Sequence, residues 1–120
     1  MTPVTLDVHT KRVYEPAEPD DGYRVLTDHI WPRGVSKKRA KLNEWDKELA
    51  PSDELREWFN HIPERFPEFR SRYRDELKSH TDKLHDLRDR ARTERVTIVY
   101  AARDEQHNNA VVLAGVLRED

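Results

Sequence analysis

The sequence predicts a small α/β domain whose three- or four-stranded, largely parallel sheet is flanked by helices. Three observations lead there. Val96 to Ala102 (VTIVYAA) is a nearly continuous apolar run of strand length, as expected for a strand covered on both faces. Two further β-rich segments, Val4 to Tyr14 and Tyr23 to Ile30, lie near the N-terminus. A helix-rich middle separates them from the apolar run, and so long a crossover suits parallel neighbours better than a hairpin.

Each element has a local reason. Val4 to Tyr14 alternates at Val4, Leu6 and Val8 and ends at the turn-rich EPAEPDDG. Tyr23 to Ile30 stops at Trp31-Pro32-Arg33-Gly34, where proline and glycine forbid a continuing strand. Asn43 is placed to cap a short helix carrying Trp45 and Leu49, closed by Pro51. Ser52 caps the next helix, with Asp53 and Glu54 in its first turn and a stripe of Leu55, Trp58, Phe59 and Ile62. Phe66, Phe69, Tyr73 and Leu77 mark a third helix with Pro67 in its first turn. Leu84, Leu87 and Ala91 continue the stripe after a break near residue 79, where Ser79 and Asp82 read as a capping box. Asp104 is expected to cap a last, well-buried helix from about Glu105 to Leu117.

Composition bounds the class. The 120 residues suit one domain spanning 1–120 with a single modest core. Only 35% are apolar and the mean hydropathy is −1.05, yet the net charge of −2 lacks the self-repulsion that disorder usually needs. With no cysteine there is no disulfide framework, thiolate metal site or cysteine nucleophile. No run approaches a membrane span and the polar N-terminus is no signal peptide, so a cytoplasmic protein is expected. A pI near 6.3 argues against a general nucleic-acid coat but leaves room for a local basic patch.

Two segments carry unusual polar chemistry, and both fall at the carboxyl edge of the expected sheet, where open α/β sheets gather ligands. In the first, Asp28 to Lys41, the basic residues Arg33, Lys37, Lys38, Arg39 and Lys41 occur with no acid among them. Trp31 offers a stacking face, Arg33 a bidentate fork, and Gly34 close backbone approach. The plainer alternative is that Trp31 and Pro32 plug the sheet edge while the lysines are solvated. In the second, Tyr100 to Ala110, Arg103 stands beside a helix N-terminus that favours anions, and His107 and Asn108 lie about one turn in. The alternative there is that Asp104 only caps and Arg103 pairs with Asp28 or another acid to hold the sheet edge. His61, before Pro63, reads as a helix C-cap rather than a catalytic group. A metal held by His107, His61 and Asp28 is not demanded by any spacing, and no cofactor motif is present.

Together these segments resemble the YeaO-like family of small bacterial and archaeal proteins, a domain of unknown function. The resemblance rests on Lys11-Arg12-Val13-Tyr14, Asp21-Gly22-Tyr23-Arg24-Val25-Leu26, Asp28 with Trp31-Pro32-Arg33-Gly34, Trp45 with Leu49-Ala50-Pro51-Ser52, Leu55-Arg56 with Trp58-Phe59, and Ala102-Arg103-Asp104 with His107-Asn108. It runs from about residue 7 to 117 and implies one compact α/β domain with no activity to transfer. The sequence departs from the family pattern at His29, where an arginine is usual, at Ile62, where an aspartate is common, and at Asp46, where an apolar residue is frequent.

The expectation is therefore an anion pocket, of phosphate or nucleotide type, at the carboxyl edge. Arg33 and Arg103 hold the anion, Trp31 forms a wall, and Asp104 and Asn108 complete the binding set. Asp28 orients an arginine and His107 is the candidate acid/base. No nucleophile is identifiable, so no reaction is assigned. The competing expectation is a non-enzymatic module that binds an acidic partner or nucleic acid through residues 33–41.

Overall fold

The structure is a computed structural model that describes residues 6–119. Four strands form one sheet: β1 (Val8–Arg12), β2 (Tyr23–Leu26), β3 (Glu44–Trp45) and β4 (Val96–Tyr100). Their order is β1-β4-β2-β3 and every pair is parallel. The apolar run supplies the central strand β4, and all of its residues are buried. Residue alternation then sorts side chains between two faces. Val96, Ile98 and Tyr100 join Val8 and Val25 in the larger core, under the helices. Val99 and Leu26, paired in register, face the other way with Val13, Val35 and Ala40.

The helices are α1 (Lys37–Ala40), α2 (Asp53–Phe59), α3 (Phe66–Leu77), α4 (Thr81–Ala91) and α5 (Asn109–Arg118). Ser52 caps α2 as expected, its hydroxyl accepting the Leu55 N–H at 3.2 Å. Phe69, Tyr73 and Leu77 of α3 and Leu84, Leu87 and Ala91 of α4 form one buried stripe. A 3₁₀ turn over Lys78–His80 breaks the two helices where the sequence indicated, but no side chain caps the start of α4. The Ser79–Asp82 capping box is therefore not formed.

Other boundaries differ for clear reasons. Trp45 belongs to a fourth strand rather than to a helix, because Asn43 turns its side chain and backbone to β2 instead of capping. Its Oδ1 accepts the Arg24 N–H at 2.8 Å, and its own N–H donates to the Arg24 carbonyl. Leu49 lies in a 3₁₀ turn (Lys47–Leu49) capped by Asp46. The first strand is shorter than expected, and Val4 falls outside the described residues. The second strand ends at Leu26, which leaves Ile30 59% exposed.

A buried ionic corner locks the sheet to α1. Gly22 sits at φ +67°, where a Cβ would lie 2.2 Å from the Arg95 carbonyl oxygen, so only glycine fits. Next to it Arg24, 3% exposed, donates to Asp21 at 2.7 Å and to the Ala40 carbonyl at 3.1 and 2.8 Å. Lys11 reaches Asp21 and Glu18. Burial raises the Asp21 pKa, but the Glu18 N–H, Lys11 and Arg24 outweigh it, and the carboxyl ends below its ordinary value. A depressed folded pKa contributes stability that is present above the unfolded value and lost as pH falls through the folded one. The urea-midpoint gap between the wild type and Asp21→Asn is therefore expected to shrink as pH falls below about 4. A gap unchanged from pH 5 to pH 2 would contradict this.

Candidate functional site

From Thr27 to Val35 the chain crosses the carboxyl end of the sheet, pinned by three side chains. Trp31 Nε1 donates to the Val35 carbonyl at 2.6 Å, Trp45 Nε1 to the Asp28 carbonyl at 2.8 Å, and the Tyr14 hydroxyl to the Arg33 carbonyl at 2.9 Å. The two indoles meet edge to face with centroids 5.1 Å apart, a favoured aromatic geometry. A cleft of about 500 Å³ opens between this crossing, α2 with its exit, and the segment from β4 to α5. That volume is within the range of small-ligand sites.

Asp28 lies in this cleft. Its Oδ2 accepts the Ala101 N–H at 3.0 Å and its Oδ1 the Asn109 side-chain amide at 3.1 Å. Asn109 also donates to the Thr27 carbonyl, so one amide joins the ends of β2 and the start of α5. Burial raises the Asp28 pKa, opposed by those two hydrogen bonds and by the His61 and Arg56 charges. The hydrogen-bond partners of Asp28 are a backbone N–H and an amide, and Arg56 acts on it through charge without a hydrogen bond.

The opposite contribution comes from α2. Arg56 lines the cleft, donates one nitrogen to Asp53 at 3.2 Å, and keeps its buried Nε without a partner. The helix ends at Asn60 in the left-handed region (φ 46°), and His61 follows at φ 55°. Consecutive left-handed residues other than glycine are costly and cluster at functional sites. The C-cap role expected of His61 thus belongs to Asn60, and both residues line the cleft. Phe59, stacked on Phe69 at 4.3 Å, supplies an aromatic wall.

The second segment folds differently from expectation. Asn108, not Asp104, caps the last helix: its Oδ1 accepts the Val111 N–H at 2.9 Å and its Nδ2 donates to the Asp104 carbonyl at 2.8 Å. Asp104 instead closes a tight turn, accepting the Gln106 and His107 N–H groups and pairing with His107 Nδ1 at 2.8 Å. These bonds, the Gln106 N–H foremost, hold its pKa below the ordinary value. The His107 ring meets Phe66 edge-on at 5.2 Å, and Phe66 in turn packs on Phe59 and Phe69, so His107 stands behind the aromatic wall.

Of the residues singled out from sequence, Asp28, Trp31, Arg33 and Asn108 line the cleft, whereas Arg103, Asp104 and His107 do not. Arg103 is exposed, and Asp28 pairs with other groups. Arg56, Glu57, Asn60 and Asn109 are polar lining residues that sequence reasoning did not assign to the site, and His61, read there as a helix C-cap, lines the cleft as well. The apolar stripe of α2 drew attention away from Arg56. The usable signal was the polar Asn60-His61 pair between an aromatic helix end and Pro63. Among the described residues, no group of three or more His, Asp and Glu is gathered closely enough to hold a metal ion. No helix among them is long and apolar enough to cross a membrane.

Comparison with known proteins places this fold in a family. Residues 7–120 match the family model described as the inactive DUF488-N3 subclade. The uncharacterized protein YeaO of Escherichia coli (strain K12) is 43% identical over 113 residues, covering 94% of this chain and 98% of that protein. The uncharacterized proteins Rv3073c of Mycobacterium tuberculosis (strain H37Rv) and Mb3100c of Mycobacterium bovis are each 48% identical over 110 residues, covering 92% of either chain. No solved structure matches it significantly. With the family model and relatives such as YeaO aligned over nearly its whole length, the chain belongs to the YeaO-like, inactive DUF488-N3 subclade.

Proposed function

We propose that the carboxyl-edge cleft binds a small anionic ligand of phosphate or nucleotide type and holds it without turnover. One observation carries this reading: two arginines from separate elements, Arg33 and Arg56, share an aromatic-walled cleft with the half-buried Asp28 carboxylate. The guanidinium groups suit the anion, since charge-assisted and bidentate hydrogen bonds are the strong ones. Arg33 has no protein partner for its side chain among the described residues, and the Arg56 Nε has none either. Trp31 offers a face for a base or sugar, and Asp28 accepts from a hydroxyl or amino group at the other end of the ligand. Binding without turnover is supported by the description of the subclade as inactive.

The test is calorimetric titration with inorganic phosphate and the four common nucleoside monophosphates. At least one nucleotide is expected to bind, and Arg33→Gln or Arg56→Gln to weaken it about tenfold, the loss of one charge-assisted hydrogen bond. Arg103→Gln is expected to leave binding unchanged. Absence of heat with every probe, or equal affinity in the Arg33 and Arg56 variants, would refute the assignment.

A further inference from the structure

The remaining cations of this protein are almost all engaged. Arg72, Arg74, Lys78, Lys83, Arg90 and Arg95 pair with acids, Arg12, Arg65, Arg88 and Arg118 donate to carbonyls, and Lys47 lies over Trp45. Arg70 and Arg103 are isolated exposed cations without an ion pair, hydrogen bond or ring contact among the described residues, but only Arg33, Lys37, Lys38, Arg39 and Lys41 form a run of them. All are exposed, and among the described residues their side chains have no ion pair, hydrogen bond or ring contact. No Asp or Glu occurs from residue 29 to residue 43. An unneutralised run of cations on a chain of net charge −2 is a local footprint for a polyanion.

The segment is also rigidly presented. Ser36 caps α1 through the Arg39 N–H at 3.0 Å, and buried Arg24 holds the Ala40 carbonyl at the other end. Its start coincides with the cleft, because Arg33 belongs to both. A ligand that uses both surfaces must carry one group small enough for a cleft of about 500 Å³ and a row of negative charges leading out of it. A mononucleotide satisfies only the first condition, and a duplex keeps its bases paired and stacked inside the helix, with none free to enter a cleft. A single nucleic-acid strand satisfies both.

Resting on the cleft assignment above, we propose that the ligand is a single-stranded nucleic acid. One unpaired nucleotide occupies the cleft against Trp31, and the adjoining phosphodiesters run along Arg33 to Lys41. The pattern is that of single-strand binders generally, which combine a stacking surface with a basic track.

The experiment compares UMP, the octanucleotides U8 and dT8, and a heparin fragment of matched charge, by titration from 50 to 200 mM salt. U8 or dT8 is expected to bind at least tenfold tighter than UMP at 50 mM. The slope of log K against log salt is expected to be about −2 to −3, the value for three or four phosphates on a single strand. The variant Lys37→Gln/Lys38→Gln/Arg39→Gln/Lys41→Gln alters only exposed side chains, and should flatten the slope and return the octanucleotide to the UMP affinity. Octanucleotides no tighter than UMP would overturn the proposal while leaving the cleft assignment standing. Tight, salt-dependent octanucleotide binding that is indifferent to Arg56→Gln would overturn the cleft assignment and this proposal with it. Heparin binding as tightly as the octanucleotides would also overturn it, showing that charge alone is read.

Discussion

Arg24→Ala is expected to lower folding stability by about 3–5 kcal/mol, the usual cost of breaking a buried charge pair from one side. The side chain is 3% exposed and carries three hydrogen bonds, two of them to the one carbonyl that ends α1. Truncation leaves Asp21 buried with Lys11 as its remaining charged partner and leaves the Ala40 carbonyl without the guanidinium. Against a total stability of about 5–15 kcal/mol, such a loss is a large part of the whole. Urea unfolding followed by circular dichroism measures it. A loss under about 1 kcal/mol would show that the corner is solvated in solution and that its ion pairs count for little. Arg24→Ala/Asp21→Asn is expected to recover part of the loss, because it removes the stranded charge as well.

Phe69→Ala is expected to cost a similar amount, about 3–5 kcal/mol, for a different reason: it opens a cavity in the core. Phe69 is 2% exposed, stacks on Phe59, and touches Phe66 and Tyr73 in one aromatic chain. The same ring lines the cleft, so the change should weaken ligand binding alongside stability. Phe69→Leu restores most of the volume and separates the two effects. It should recover stability more fully than ligand affinity, because the flat face is not replaced. Equal recovery of both would mean that the ring contributes only bulk to the cleft.

Legibility in the sequence followed the kind of force involved. Elements made by burial were readable, since β4 and the stripes of α3 and α4 advertise themselves by apolar periodicity. Elements made by polar contacts across the chain were not. β3 is two residues long and exists because Asn43 and Asp46 bond to the backbone of β2. The same Asn could as well have capped a helix, and local spacing cannot decide between those partners. The shift of the last helix start from Asp104 to Asn108 has the same origin, as both are good capping residues and Asp104 has His107 to hold. In the cleft, the crossing at Asp28, Trp31 and Arg33 was legible because a proline-glycine break at a strand end marks an edge. The role of Arg56 was hidden by distance along the chain: nothing local tells an arginine on an amphipathic helix that an aspartate 28 positions earlier will share its cleft.

The strand order has a consequence for how the molecule is made. β1 and β2 do not touch, and each is joined to β4 between them. Val8 must wait for Val96 to leave the ribosome before its ladder can close. At synthesis rates of about 5–20 residues per second, that wait is roughly 4–18 s. During it, the emerging helices have only the short β2–β3 pair to cover, and β1 lacks its one sheet neighbour. Pairing at such long sequence separation also slows folding itself. Assembly is thus a late, nearly simultaneous event. The cleft, built from the ends of β2 and β4 and from α2 and α5, comes into being at that moment and not before.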